Sequence, residues 1–256
     1  MFKHIWFKEL RERFYTWKGT LWLVIASLVF SLVSYLLLTD KELSLLDQTE
    51  MMWMLAKVII GTGILIVTID ASSIITDEFE KETAESLFLS PIRMRDFVLG
   101  KLLASLTLWL FIFIVSIPYI IVTSVGTHLL LPFLFYVFLL GTLGVLGFIM
   151  FIFSISLLFR SSKNTLTTSL IILLAIAIPA LFPAMLKNNS LAAILSKANP
   201  IDNMFSSLDN VLVDYKASLF NNWQFIFPLV LFCLITFVFL VYVIKHFKLA
   251  GVVKNE

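Results

Sequence analysis

The residues with the chemistry to act on something else are concentrated in one stretch, Asp77 to Lys101, DEFEKETAESLFLSPIRMRDFVLGK, which lies between long apolar runs. Glu78, Glu80, Lys81, Glu82 and Glu85 fit one helix, with Phe79, Leu87, Thr83 and Ala84 as contact surface between the charges. Ser90-Pro91 then reads as a cap followed by a first-turn proline, whose missing N–H costs nothing there. A second helix carries Arg93, Arg95 and Lys101 into the next apolar run. Acids, a break and then bases suit ionic contact with a protein partner; the plainer reading is two solvated helix ends joined by a turn.

Other chemistries find little support. The three histidines, His4, His128 and His246, fall in segments too far apart to converge on one metal, and neither a His/Glu zinc motif nor a Gly-x-Ser-x-Gly elbow occurs. The glycines from Gly141 to Gly147 lack the Lys-Ser/Thr ending of a phosphate loop, and Gly100-Lys101 is followed by leucine. With no ATP-hydrolysing motif in the chain, active transport would draw its energy from another polypeptide or from an ion gradient. The single cysteine, Cys233, sits in a Phe/Leu/Val run, which excludes an internal disulfide framework and suits a core or lipid-facing position.

The elements that must hold this stretch follow from composition. Of 256 residues 60% are hydrophobic and only 14% charged, with a mean hydropathy of +0.98. A soluble domain carries about 25% charged residues, so this chain cannot cover a water-facing surface. Its apolar runs of about 20 residues each suffice to cross a hydrocarbon core of about 30 Å. The expectation is an all-α integral membrane protein with six spans near Gly19–Leu38, Trp53–Ile75, Leu102–Val125, Phe133–Leu158, Thr165–Leu186 and Trp223–Lys245. A net charge of +2, with the bases scattered over membrane flanks, argues against a nucleic-acid partner.

Before the spans, residues 1–18 place Phe2, Trp6, Phe7, Leu10, Phe14 and Trp17 on one side of a helical wheel and His4, Lys8, Arg11, Tyr15 and Lys18 on the other. That pattern predicts an amphipathic helix lying in the membrane interface, with Lys3 and Arg13 snorkelling out of the apolar arc. The segment lacks the features of a cleaved signal, so targeting is expected from the first span. Residues 1–18 and 19–256 are accordingly read as an interfacial helix and a six-span domain.

Of the 19 Lys and Arg residues, 14 fall in the N-terminal segment, the second and fourth connections and the tail. Basic residues accumulate on the cytoplasmic side, which places both termini and residues 77–101 there. The outer connection, 187–222, contains two short apolar pieces around Asn199-Pro200 and predicts two short helices broken at the proline, folded back on the membrane or capping a cavity, with a solvated loop as the plainer alternative.

Lys57 and Asp70 fall inside the second span, about 20 Å apart along its axis. Lys57 is near enough to the outer end to snorkel. Asp70 is the candidate for facing a protein interior or an aqueous cavity, as a structural contact or an ion relay. Gly141, Gly144 and Gly147 predict close helix approach in the fourth span, and Pro118, Pro179 and Pro183 predict bends.

Residues 78–92 followed by Arg93, Arg95 and Leu99-Gly100-Lys101-Leu102 resemble the cytoplasmic signature of ATP-binding-cassette transporter permeases of the type-2 exporter family. Its pattern is roughly acidic-x-acidic-basic-Gly-Thr-x-Glu-x-Leu-Leu-x-x-Pro, then Gly-Lys-Leu at the mouth of the third span. Glu80, Lys81, Thr83, Glu85, Leu87, Pro91, Gly100 and Lys101 match, while Glu82 stands in place of glycine and Phe88 in place of a leucine. The layout resembles that family too: a basic amphipathic N-terminal helix, six spans and Asn-Pro in a long last outer connection. The resemblance implies a multi-pass permease of a prokaryotic cytoplasmic membrane that pairs with a second permease copy or a homologue. Two cytoplasmic ATPases would bind ATP and Mg2+, this chain carrying no cofactor itself. It further implies a coupling helix within 77–101, with Glu78, Glu80, Lys81, Glu82, Thr83, Glu85, Pro91, Arg93 and Arg95 as the ATPase-coupling residues, of which Glu80, Glu82 and Glu85 would meet basic residues of the ATPase and Arg93 and Arg95 would anchor to headgroups or partner acids. Competing expectations are a gradient-driven carrier or channel, a membrane-embedded enzyme, and a scaffold that an ATPase drives without translocation.

Overall fold

The computed structural model describes residues 2–39, 47–81, 93–181, 197–216 and 218–246. Among these the protein is all-helical, with eight helices: α1 (Phe2–Tyr15), α2 (Lys18–Thr39), α3 (Gln48–Glu80), α4 (Met94–Ser124), α5 (Leu130–Phe159), α6 (Ser162–Leu181), α7 (Pro200–Leu212) and α8 (Leu219–His246). Six of them, α2 to α6 and α8, are long and apolar enough to cross a membrane. The spans run longer than their apolar cores require: α3 has 33 residues, about 50 Å of helix. Its acidic end is therefore part of the span helix, and Glu78 and Glu80 occupy its last turn rather than a separate projecting helix. Likewise α4 begins at Met94, eight residues before the expected start of the third span.

Two helices form the centre. In the most apolar window of α3 and of α5, 67% of residues are buried, against 22% for α2 and 17% for α6, whose outward residues such as Leu28, Leu32, Ile171 and Leu174 are exposed apolar surface suited to lipid. Close approach around α3 and α5 depends on glycine. Trp109 of α4 is fully buried, with its ring against both Gly63 of α3 and Gly141 of α5; a Cβ at either glycine would overlap the ring. Its indole N–H donates to Thr142 Oγ1 at 3.0 Å, which satisfies the one polar atom of an otherwise apolar side chain. The expected packing role of the fourth-span glycines thus has a specific partner at each position, since Gly144 faces Met204 and Gly147 faces Phe232 and Cys233. The Cys233 thiol donates to Leu143 O at 3.1 Å. Pro118 and Pro179 lie inside α4 and α6, which continue past them; Pro183 lies outside the described residues.

At the end of the bundle opposite α1, α7 is the helix expected after Asn199-Pro200. Asn199 is its N-cap, accepting from the amides of Ile201 and Asp202, and Pro200 begins the first turn. The piece expected before it, within 187–196, lies outside the described residues. Helix α7 packs on α3, α5, α6 and α8 and closes that end of the bundle.

Candidate functional site

Helix α1, expected to lie in the membrane interface, packs on α2 and α4. Its outward side, with Phe7 and the neighbouring Trp17, is exposed as a membrane-facing surface would be, but its inward side is built into the protein. Gly100 of α4 is the seat: Ile5 and the Phe2 carbonyl lie so close that a Cβ there would stand 2.8 Å from Ile5 Cβ. Phe14 meets Phe111 edge-on at 5.1 Å, and Trp6 Nε1 donates to Thr107 Oγ1 at 3.1 Å.

Two buried charge clusters complete the attachment. Arg13, expected to snorkel, is instead buried: its Nη2 lies 2.8 Å from Asp70 Oδ2, and its Nη1 donates to Ala104 O at 3.0 Å. An isolated carboxylate within a span costs several kcal/mol, and the guanidinium one helix away offsets much of that cost. Asp70 therefore has the structural contact that was one of its two expected roles. The second cluster centres on Lys101, 1% exposed, whose ammonium donates to Glu9 Oε1 at 2.7 Å, to Ile74 O at 2.7 Å and to Glu78 Oε1 at 3.3 Å. All three donor hydrogens of the ammonium are thereby used. Lys101 thus ties α1, α3 and α4 together. A cavity of about 340 Å³ opens between α1 and α3 beside these clusters, lined by both and by Lys8, Lys18, Asp77 and Lys81 among others.

A third junction joins α3 to α6. Chain reversal between α5 and α6 takes two residues, Arg160 and Ser161, with Arg160 in the left-handed conformation at φ 54°. Ser162, the first residue of α6, is gripped by the end of α3: its N–H donates to Glu80 Oε1 at 2.7 Å, its Oγ lies 3.1 Å from Asp77 Oδ1, and Oγ and Thr76 Oγ1 are 2.6 Å apart. Two carboxylates at a helix N-terminus also oppose the positive end of its dipole.

These contacts place the expected site residues. Glu78 and Glu80 face the chain's own Lys101 and Ser162. Lys81, Arg93 and Arg95 are exposed at the two ends of the connection. Glu82, Thr83, Glu85 and Pro91 lie outside the described residues. Lys57 is far from this end, and its ammonium is folded 3.1 Å above the Trp53 ring and 5.5 Å from that of Phe205, on the side of α7 that carries Asp202 and Asp209. Burial raises both carboxyls above the ordinary range, and the nearby Lys57 opposes that rise.

Glu9, Arg13 and Ser162 did not stand out in the sequence. A signal for the first two was present: Glu9 and Arg13 are one helical turn apart, and each matches an opposite charge buried in a span. Nothing local marks Ser162.

The fold and this charged end define a multi-pass, all-helical membrane protein whose solvent-side chemistry is gathered around one connection. A family model described as ABC-2 family transporter protein matches residues 4–249, nearly the whole chain, and the protein belongs to that family. It is a membrane subunit of an ABC transporter, the permease class. A search of the curated proteins found no match.

Proposed function

We propose that this chain couples ATP hydrolysis by a separate cytoplasmic ATPase to export of a substrate across the cytoplasmic membrane of a prokaryote, paired with a second permease copy or a homologue. The α1 end then faces the cytoplasm, in accord with the 14 of 19 basic residues assigned to that side. ATP and Mg2+ belong to the partner. Residues 1–18 serve as an interfacial helix anchored to the permease domain of 19–256, and the two ATPases of the complex each meet one 77–101 segment.

The observation that supports this reading best is Lys101 bridging Glu9 and Glu78. Residues 82–92 connect α3 to α4, and the two helices that leave them are cross-linked to each other and to α1 within the protein. A push on the connection therefore cannot be absorbed by one helix bending alone; it moves α1, α3 and α4 together. In this scheme Lys81, Glu82, Thr83, Glu85, Pro91, Arg93 and Arg95 form the contact with the ATPase. Glu78 and Glu80 hold the frame behind it, a division of roles that departs from the sequence expectation for both.

Purification of the chain in mild detergent tests the reading. A P-loop ATPase should co-purify, and Glu85→Lys or Arg95→Glu should lower its recovery or separate ATP turnover from transport. Repeated failure to recover any ATPase would favour a gradient-driven carrier instead.

A further inference from the structure

Ser162 is the meeting point of three contacts from the last turns of α3, and the connection that would meet the ATPase begins two residues after Glu80. From this geometry we infer that Ser162 is a positioning residue that carries motion of the coupling segment into α6; the inference rests on the ATP-coupled reading above. Helix α6 is otherwise a peripheral span, with much of its length exposed as lipid-facing surface. Its first residue follows a two-residue reversal, and Arg160 there already occupies a left-handed conformation costly for a side chain larger than glycine. Such a short link leaves little slack between α5 and α6. Displacement of Asp77 and Glu80 would therefore be passed on through Ser162 as a shift of α6. The contacts suit this: two carboxylates and a hydroxyl hold both the N–H and the Oγ of one residue, fixing its position and its orientation together. Both carboxylates belong to the acidic end of α3, so the family-like segment acts on two helices, α4 by covalent continuation and α6 through Ser162.

Ser162→Pro separates the junction from the helix. Proline is tolerated at the first position of a helix, where its fixed φ suits the start, yet it removes both the N–H and the hydroxyl. The experiment is hydrogen exchange on the detergent-purified complex with its co-purified ATPase, with and without ATP and Mg2+, comparing the first two turns of α6 with those of α4. In the unaltered complex ATP should change exchange in both. In Ser162→Pro the α4 response should persist while the α6 response falls at least threefold, and Ser162→Thr, which keeps both donors, should restore it. If Ser162→Pro fails to fold, Asp77→Ala combined with Glu80→Ala removes both carboxylates from Ser162, with Asp77→Asn and Glu80→Gln together as the conservative control. An undiminished α6 response in the Ser162→Pro complex, or in the double alanine variant where that stands in for it, overturns the inference while leaving the ATP-coupled reading intact. Absence of any ATP response in the unaltered complex contradicts that reading itself, and the inference with it.

Discussion

The two ends of the bundle are held by different chemistry. At the α1 end the contacts are charged: Arg13 with Asp70, Lys101 with Glu9 and Glu78, and carboxylates of α3 on Ser162. At the α7 end they are mostly neutral. Asn222, fully buried, accepts at Oδ1 from Ser207 and Asn210 and donates through Nδ2 to the carbonyls of Lys216 and Ser218, with Tyr136 Oη 3.4 Å away. Asn199 caps α7 and donates to Ile176 O, and Trp53 donates to Phe205 O. Neutral hydrogen bonds weaken steeply as their angles bend, so an amide network fixes a geometry. Ion pairs act over longer distances and tolerate small displacements, because Coulomb energy falls slowly with separation. Under the proposed coupling, the α1 end would stay connected while it moves and the α7 end would hold its shape.

Substitutions at each end sharpen that contrast. The largest effect is expected from Arg13→Ala, which leaves Asp70 charged and unpaired between helices and should cost about 3–5 kcal/mol. Pairing it with Asp70→Leu should recover most of the loss, a non-additivity that thermal unfolding of single and double variants in detergent would reveal. At the opposite end Asn222→Ala removes the hub and leaves Asn210 and Ser207 short of a partner, for about 1–3 kcal/mol by the same measurement. Here no second substitution at a single site should rescue it, because the network has several members.

The smallest effect concerns Asp202. Burial raises its carboxyl, so the folded protein binds its proton more tightly than the unfolded chain does, and this group's contribution to stability falls as pH rises from the ordinary carboxylate range through the raised one. Asp202→Asn should therefore unfold at a slightly higher temperature than the unaltered protein at neutral pH, an advantage that shrinks as the pH is lowered. A constant difference across pH would place the carboxyl in water.

Much of this arrangement was legible in the sequence. The six spans, the helix starting at Pro200 and the packing glycines follow from run length, capping chemistry and residue size, which are local properties. The acidic run also points to the end of α3, where Glu78 and Glu80 meet Lys101 and Ser162. What could not be read was pairing. Arg13 looked like an interruption of an apolar arc because a helical wheel shows only what a helix presents, not what a neighbouring helix offers. Once Asp70 is brought beside it, the same residue becomes the counter-ion a buried carboxylate needs. Hydropathy locates an apolar run and not where its helix ends, so α3 extends from Gln48 to Glu80 around the apolar run at 53–75. That extension brings Glu80 to the N-terminus of α6.

Under the proposed coupling, α1, α3 and α4 form one frame that moves as a unit. In a Cys233→Ser background, Trp6→Cys with Thr107→Cys places thiols where a 3.1 Å hydrogen bond joins α1 to α4. A short bifunctional thiol reagent applied to membranes containing the complex should link the pair equally well with and without ATP, and ATP turnover should continue after linking. A pair that does not link in membranes, or a link that stops turnover, would show that α1 and α4 do not move as one body.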